Sequence, residues 1–468
     1  MKQSTVITLC VLSALAAAGV GYAIYFDHKR RNDPQFRRKL KKEKKRAQKV
    51  KQEKEEASKK ELLDSLKSAL EEVDKEKFPD SVEAKEKYFM DYISKGEALF
   101  VQGESKHQEA AICFFKALKV YPQPMELVMI YQKTIPESVF ALVMGMMQLD
   151  IKRKQEQYYE SYPPAEWNVK IGEIPEGHTA DGKTIIRRAL VATKDFEANE
   201  LIYREEPLLS MLEPELLGKE FCDYCMRKVT DESKISCEKC DRAVYCSTSC
   251  KDKAAAKYHN HICGPEAAPL HELEQSSKIP SMIARFLTTM VHDEMQKVTD
   301  PNAAEETAWD HIERLRYLDL PKTKEEEREM EALKVALRGK VPGVEEFLND
   351  ERYLLLKGKL LYNLYGIYGV EGVVQPSDQL RSPRERPIIG SGLYRATSYM
   401  VHSCVPNVKV DFREDHTLSL IAAKPIKAGD ELRVSFIEVA DRSLEERKKD
   451  LERYRYECSC PKCQSDVE

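Results

Sequence analysis

The sequence predicts an α+β multidomain protein: a membrane helix at the N-terminus, a small α-helical bundle, and a mostly β body split by a cysteine-rich finger and a helical insert. Three observations carry this. Gln3 to Phe26 hold no charge. Residues 81–152 repeat apolar side chains at helical spacing. Eleven of the thirteen cysteines stand at metal-ligand spacing, next to short strand-like runs.

The uncharged stretch, read as an anchor over 4–26, is long enough to cross a bilayer at roughly 1.5 Å per residue. Tyr22, Tyr25 and Phe26 close it, and Lys29, Arg30, Arg31, Arg37, Arg38 and Lys39 follow. That charge bias places the rest of the chain in the cytosol. The rival reading is a cleaved signal peptide, which would send the cysteines into an oxidising space where thiolate zinc sites are less expected.

Residues 28–60 hold sixteen Lys/Arg against five Asp/Glu, although the net charge of the chain is only -4. Residues 27–80 therefore read as a charged helical spacer whose basic first half can lie on anionic lipid. In the bundle, 81–152, Tyr88, Phe89, Ile93, Leu99 and Phe100 recur at helical spacing, followed by runs over 110–120, 125–134 and 138–149. Gly103, Pro122, Pro124 and Pro136 break these runs. The first pair of helices is like one tetratricopeptide unit. Residues 150–167, with Pro163 and Pro164, read as a linker.

From Trp167 short strand-like runs appear at 185–186, 190–192 and 201–203. Cys222-x2-Cys225, Cys237-x2-Cys240, Cys246-x3-Cys250 and His259-x3-Cys263 follow in order. Seven thiolates and one imidazole suffice for two tetrahedral Zn2+ sites, with pairs one and three, then two and four, interleaved. His261 is an alternative to His259 but lacks the x3 spacing to Cys263. Cys458-x-Cys460-x2-Cys463 leaves a third ion one ligand short, and Cys404 is the obvious fourth. Cys10 and Cys113 read as small buried hydrophobes.

The run over 222–263, with its Tyr245-Cys246 step, resembles a MYND finger. Val401-His402-Ser403-Cys404-Val405-Pro406-Asn407 resembles the Asn-His-Ser-Cys-x-Pro-Asn signature of SET domains. With Leu190 to Thr193, Gly390 to Tyr394 and Gly429 to Leu432, the layout over 167–463 resembles the SET-and-MYND lysine methyltransferases. The resemblance implies a SET first half over 167–221, the finger over 222–263, a helical insert over 264–384, a SET second half over 385–440 and a post-SET zinc segment over 441–468. It also implies that Cys404 joins Cys458, Cys460 and Cys463 on one zinc, so three zinc ions are expected.

Three motif positions depart from that family. Its Gly-x-Gly turn, which lets S-adenosylmethionine approach, reads Arg187-Arg188-Ala189. Its signature Asn is Val401, which has no donor or acceptor. Its Tyr at the reacting centre is Phe436. An oriented hydroxyl near developing charge commonly contributes about 10² to 10³ in rate. These changes argue against S-adenosylmethionine binding and against methyl transfer. Arg188, Ala189 and His402 stand at the family's cofactor-binding positions, and Tyr456 or Tyr399 can offer a substitute hydroxyl.

Residues 1–150 resemble a second family, the small presequence receptors of the mitochondrial outer-membrane translocase. Gly21 to Asp27, Lys29 to Arg37, Gly96 to Glu104, Gln123-Pro124 and Thr134 to Phe140 carry the likeness. It implies an apolar groove lined by Phe89, Met90, Ile93, Ile130 and Tyr131, with Glu97, Glu104 and Glu109 facing a basic amphipathic helix.

The expected function is thus an outer-membrane, single-pass import receptor that binds presequences alongside other translocase subunits and carries an inactive SET/MYND module. A membrane-tethered lysine methyltransferase is the alternative. An adaptor whose finger holds proline-rich peptides is a third reading. A nucleic-acid role has no support, because the basic run adjoins the membrane helix.

Overall fold

The computed structural model describes residues 34–466 except 80, 123, 180–181, 301–305 and 370–386. It divides into two compact units, Met1–Gln157 and Tyr158–Glu468. The expected anchor over 4–26 lies outside the described residues. Among the described residues no helix is long and apolar enough to cross a membrane.

The first unit is helical. α1 (Pro34–Asp74) is 41 residues long. The spacer was expected to be charged and solvated throughout, yet its last turns bury Leu66, Ala69, Leu70 and Val73 in the core. Their i, i+3, i+4, i+7 spacing is a core stripe, masked in composition by the surrounding charge. α2 (Val82–Phe100) starts at Ser81, whose hydroxyl accepts from the Ala84 N–H. Gly103, at φ +112°, makes the turn that Cβ-bearing residues resist. α3 (His107–Val120) buries Ala110, Ala111, Phe114, Phe115, Ala117 and Leu118. Gly96 of α2 lies against the Phe114 ring, where a Cβ would come within 2.9 Å.

α4 (Pro124–Thr134) begins on a proline, which lacks only an N–H that the first turn leaves unpaired anyway. α5 (Glu137–Ser161) runs much further than the expected 138–149. The expected linker from 150 is therefore helical as far as Ser161. Asp150, buried, accepts from Lys119 at 2.5 Å and Arg153 at 2.9 Å, so its charge is satisfied within the helical unit.

The second unit is a mixture of small sheets and helices. β1 (Val169–His178) and β2 (Thr184–Ala192) form a long antiparallel hairpin. β3 (Leu201–Glu205) pairs with β11 (Leu418–Ala422), which pairs with β10 (Val408–Phe412). β4 (Leu209–Leu212) and β7 (Leu364–Tyr368) flank β8 (Ile388–Leu393). β4 and β11 are buried along their whole length, Ser210 and Ser419 included.

The finger contributes the short hairpin β5 (Ile235–Ser236) and β6 (Val244–Tyr245), then α6 (Thr248–Ala254). In the insert, α7 (Ile279–Thr299) buries Met282, Ile283, Ala284, Phe286 and Leu287. α8 (Lys324–Leu337) opens with a capping box between Thr323 and Glu326. α9 (Asp350–Asn363) runs directly into β7. Among the described residues the helices of the insert, which was expected to reach 384, end at Asn363, and 370–384 lie outside the described residues. Leu364 to Tyr368 are drawn into a strand by antiparallel pairing with β8.

Candidate functional site

Twelve cysteines among the described residues are free thiols. All but Cys113 gather, with His259, into three groups whose ligand atoms lie within 4.8 Å of one another. In the first, Cys222, Cys225, Cys246 and Cys250, neighbouring sulfurs stand 3.6 Å apart. In the second, Cys237 lies 3.8 Å from Cys263, and His259 Nε2 lies 3.3 Å from Cys237 and 3.7 Å from Cys240. These spacings rule out disulfides, with S–S near 2.05 Å. They fit a tetrahedral ion, for which Zn–S near 2.3 Å gives S–S of about 3.8 Å.

The donor chemistry fits as well. Burial pushes the Cys250 thiol up to about 11 and the Cys263 thiol up to about 12. Crowded thiolates repel one another, and a divalent cation is the charge that lets them ionise together. Burial also lowers the His259 pKa, which keeps the imidazole neutral and able to ligate. His261 has no place in either group.

Two ionic contacts, one of them fully buried, pin the finger to the body. Arg285 of α7 donates to the Asp223 carboxylate at 2.6 Å and to the Ser210 carbonyl at 3.0 Å. Its guanidinium also lies 4.2 Å from the Tyr258 ring centroid. Arg242 pairs with the buried Glu274. Neither arginine was singled out from sequence, since no local spacing links Asp223 to Arg285.

The third group joins Cys404 to Cys458, Cys460 and Cys463, with Cys404 Sγ 3.5 Å from Cys463 and 3.9 Å from Cys458. The side chain of His402, a residue expected at a cofactor position, is engaged here. Its Nδ1 accepts from the Phe436 N–H at 3.0 Å. Nε2 therefore carries the proton and faces Cys404 Sγ at 3.2 Å. A buried imidazole between two strands is most cheaply satisfied by these fixed neighbours.

The other altered positions also have firm partners. Arg187-Arg188-Ala189 is paired strand, not a turn: the three residues face Ile174, Glu173 and Gly172 across the hairpin. Ala189 is fully buried. Arg188 pairs with Glu173 at 2.7 Å and lies over the Tyr159 ring. Arg187 reaches Glu431 at 2.6 Å, both side chains being about nine-tenths buried. Burial opposes ionisation of Glu431, but Arg187 and Arg433 overcome it and lower its pKa.

Val401 is buried on β9 (Val401–His402), which pairs in parallel with β12 (Arg433–Val434). Phe436 packs among Tyr362, Tyr454, Tyr456 and His402 with ring centroids 5.1–6.4 Å away. The Tyr456 hydroxyl donates to the His402 carbonyl at 3.1 Å, so it is committed to backbone. The Tyr399 side chain is buried, and its hydroxyl has no hydrogen-bond partner of good geometry.

In the first unit the five expected groove residues separate. Met90 and Ile130 are about half exposed, and Phe89 and Ile93 are half-buried against the core. Tyr131 is instead a core residue, 2% exposed, with its hydroxyl donating to the Phe114 carbonyl at 3.1 Å. Its position one residue beyond Ile130 turns it about 100° around the helix, onto the inner face. Met125 and Met129, one turn apart on α4, are exposed and were missed, although their i, i+4 spacing was readable. Glu97 and Glu104 are exposed, while Glu109 is tied to Lys106 at 2.7 Å.

Comparison with known proteins matches both units. Residues 9–160 fit the model of the MAS20 protein import receptor family, and residues 187–437 fit the SET domain. Mitochondrial import receptor subunit tom20 of Neurospora crassa is 38% identical over 149 residues, 32% of this chain and 82% of the relative. A SET and MYND domain-containing protein of Dictyostelium discoideum is 25% identical over 272 residues, 57% of this chain and 78% of the relative. A protein-lysine N-trimethyltransferase of Gallus gallus is 24% identical over 352 residues, 59% of this chain and 83% of the relative. With one continuous sequence answering to both, the chain belongs to the MAS20 import receptor family through its N-terminal third and to the SET domain family through residues 187–437.

Proposed function

We propose that the protein is an import receptor of the mitochondrial outer membrane that binds presequences through its first unit and carries a SET/MYND module without methyltransferase activity. The observation that carries the receptor reading is the exposed apolar set Met90, Met125, Met129 and Ile130 within the import-receptor homology. Flexible methionines accommodate varied apolar faces, as a receptor for many sequences requires. The exposed Glu97 and Glu104 supply charge for a basic helix. Residues 4–26 would anchor the chain and leave both units in the cytosol, beside other translocase subunits.

The three cysteine groups hold structural zinc in this reading. All four ligand positions in each come from the protein, which leaves no open position for substrate. The finger remains a candidate surface for proline-rich peptides.

Loss of methyl transfer is supported by the partners at the altered positions. S-adenosylmethionine, when bound, supplies an electrophilic methyl group, and transfer needs a neutral lysine amine held in line with it. Here Arg187 and Glu431 place a side-chain ion pair at the segment where the family has bare glycine backbone, and Phe436 offers no hydroxyl. The alternative, a tethered lysine methyltransferase, draws on the likeness to the Gallus gallus enzyme.

Two titrations of the full chain test these readings. A fluorescent presequence should bind, and Ile93→Asp should weaken binding at least tenfold. Equal affinity in the variant would remove the receptor reading. Calorimetry should detect no S-adenosylmethionine binding, and micromolar affinity with transfer to any lysine peptide would establish the enzyme instead.

A further inference from the structure

We infer that Arg447 is the positioning residue that retains the metal of the Cys404, Cys458, Cys460, Cys463 cluster. This rests on the zinc reading of that cluster. Arg447 lies on α10 (Leu444–Glu452), whose start is fixed by a capping box between Ser443 and Glu446. It is the largest fully buried side chain of the described residues, 1% exposed.

Its guanidinium is held from three sides. One nitrogen donates to the Arg442 carbonyl at 2.8 Å. The other donates to the Asp466 carboxylate at 2.6 Å and faces Cys463 Sγ at 3.7 Å. Asp466, more exposed, orients the fork without removing its contact to sulfur.

The physical need is one of charge. Four thiolates around a divalent cation leave two excess negative charges. Cys404, Cys460 and Cys463 are all buried, so water does little to stabilise them. A buried guanidinium donating to one thiolate compensates part of that excess and fixes the orientation of Cys463. Arginine suits this role because it stays charged when buried. His402 also assists, through Nε2–H to Cys404, but as a neutral donor.

The first cluster is also four cysteines, yet the arginine beside it, Arg227, is half exposed and pairs with Asp415 at 3.1 Å. The two sites therefore differ in the cation beside them: a half-exposed arginine engaged by a carboxylate at one, the buried Arg447 donating to a thiolate at the other.

The test uses the full chain, loaded with zinc and held in detergent. Native mass spectrometry counts the ions, and excess chromophoric chelator times their release. Cys404→Ser identifies which kinetic phase belongs to the third cluster. Arg447→Met, which keeps the packed stem but removes the charge, should release that one ion about 10- to 100-fold faster and leave the other two unchanged. Arg447→Lys should fall between Arg447→Met and the unaltered protein. Three ions released from Arg447→Met at unaltered rates would overturn the inference while leaving the zinc reading intact. An unaltered protein that binds only two ions would overturn both. Faster loss of all three ions together would mark a general packing role and would also overturn it.

Discussion

The two units bury charge in different ways. The helical unit buries the Asp150 carboxylate against Lys119 but leaves its other ionic contacts nearer the edge, as where Glu76 accepts from Tyr88, Tyr92 and Lys116. The second unit encloses Arg285, Arg447, Lys357, Glu329 and His311 within its body. One unit is held by apolar stripes at helical spacing, packed helix against helix. The other is held by ions and thiolates that meet across long stretches of chain. The difference teaches that the second unit is the one whose stability depends on metal, pH and single charges.

Metal removal should separate them most sharply. A structural zinc contributes on the order of 10 kcal/mol or more to folding. Chelation under reducing conditions should unfold the second unit while α2 to α4 keep their amide protection. Simultaneous loss of protection in both units, read by hydrogen exchange, would erase the contrast.

Removing one buried charge comes next. Arg285→Met leaves the Asp223 carboxylate buried without its partner, at a cost of about 3–5 kcal/mol. Thermal unfolding monitored through the second unit should fall accordingly. An unchanged midpoint would show that the pair is not what fastens the finger to the body.

Acid should act on the same unit. Burial lowers the His311 pKa to about 3 and the His416 pKa to about 4. Between those values and the unfolded value near 6.5, only the unfolded chain takes up the protons, so stability is full above about pH 6.5 and falls as pH drops. Each histidine contributes about 1.4 kcal/mol per pH unit in that window. His311→Phe should reduce the slope, and denaturant titrations at stepped pH would reveal it. A slope identical in the variant would remove His311 from the account.

The smallest effects belong to the helical unit. Gly96→Ala forces a methyl against the Phe114 ring and should cost about 1–3 kcal/mol. Met129→Ser, at an exposed site, should change stability by less than about 0.5 kcal/mol while weakening presequence binding. A large stability loss at Met129 would assign it to the core and not to a docking face.

Much of this was legible in the chain. The cysteine spacing joined Cys222 to Cys225 and Cys246 to Cys250, because x2 and x3 gaps are short enough to reach one ion. The breaks at Gly103, Pro124 and Pro136 fall at helix ends, because backbone rules act locally. The Leu66 to Val73 stripe was readable but hidden among charged residues. Tyr131 was misplaced because groove and core residues alternate on one amphipathic helix, and periodicity alone does not say which face meets solvent.

The sequence by itself determined the two families, the three ligand sets and the altered positions at Arg188, Val401 and Phe436. The families and the altered positions follow from the resemblance of motifs, and the ligand pairs from residue type and spacing, all of which can be read along the chain. Only the tertiary structure decided that His402 faces Cys404, that Arg187 meets Glu431, and that Arg285 and Arg447 are buried beside the clusters. A charge is placed by whichever opposite charge the fold brings within a few ångströms, and that meeting leaves no periodic trace along the chain.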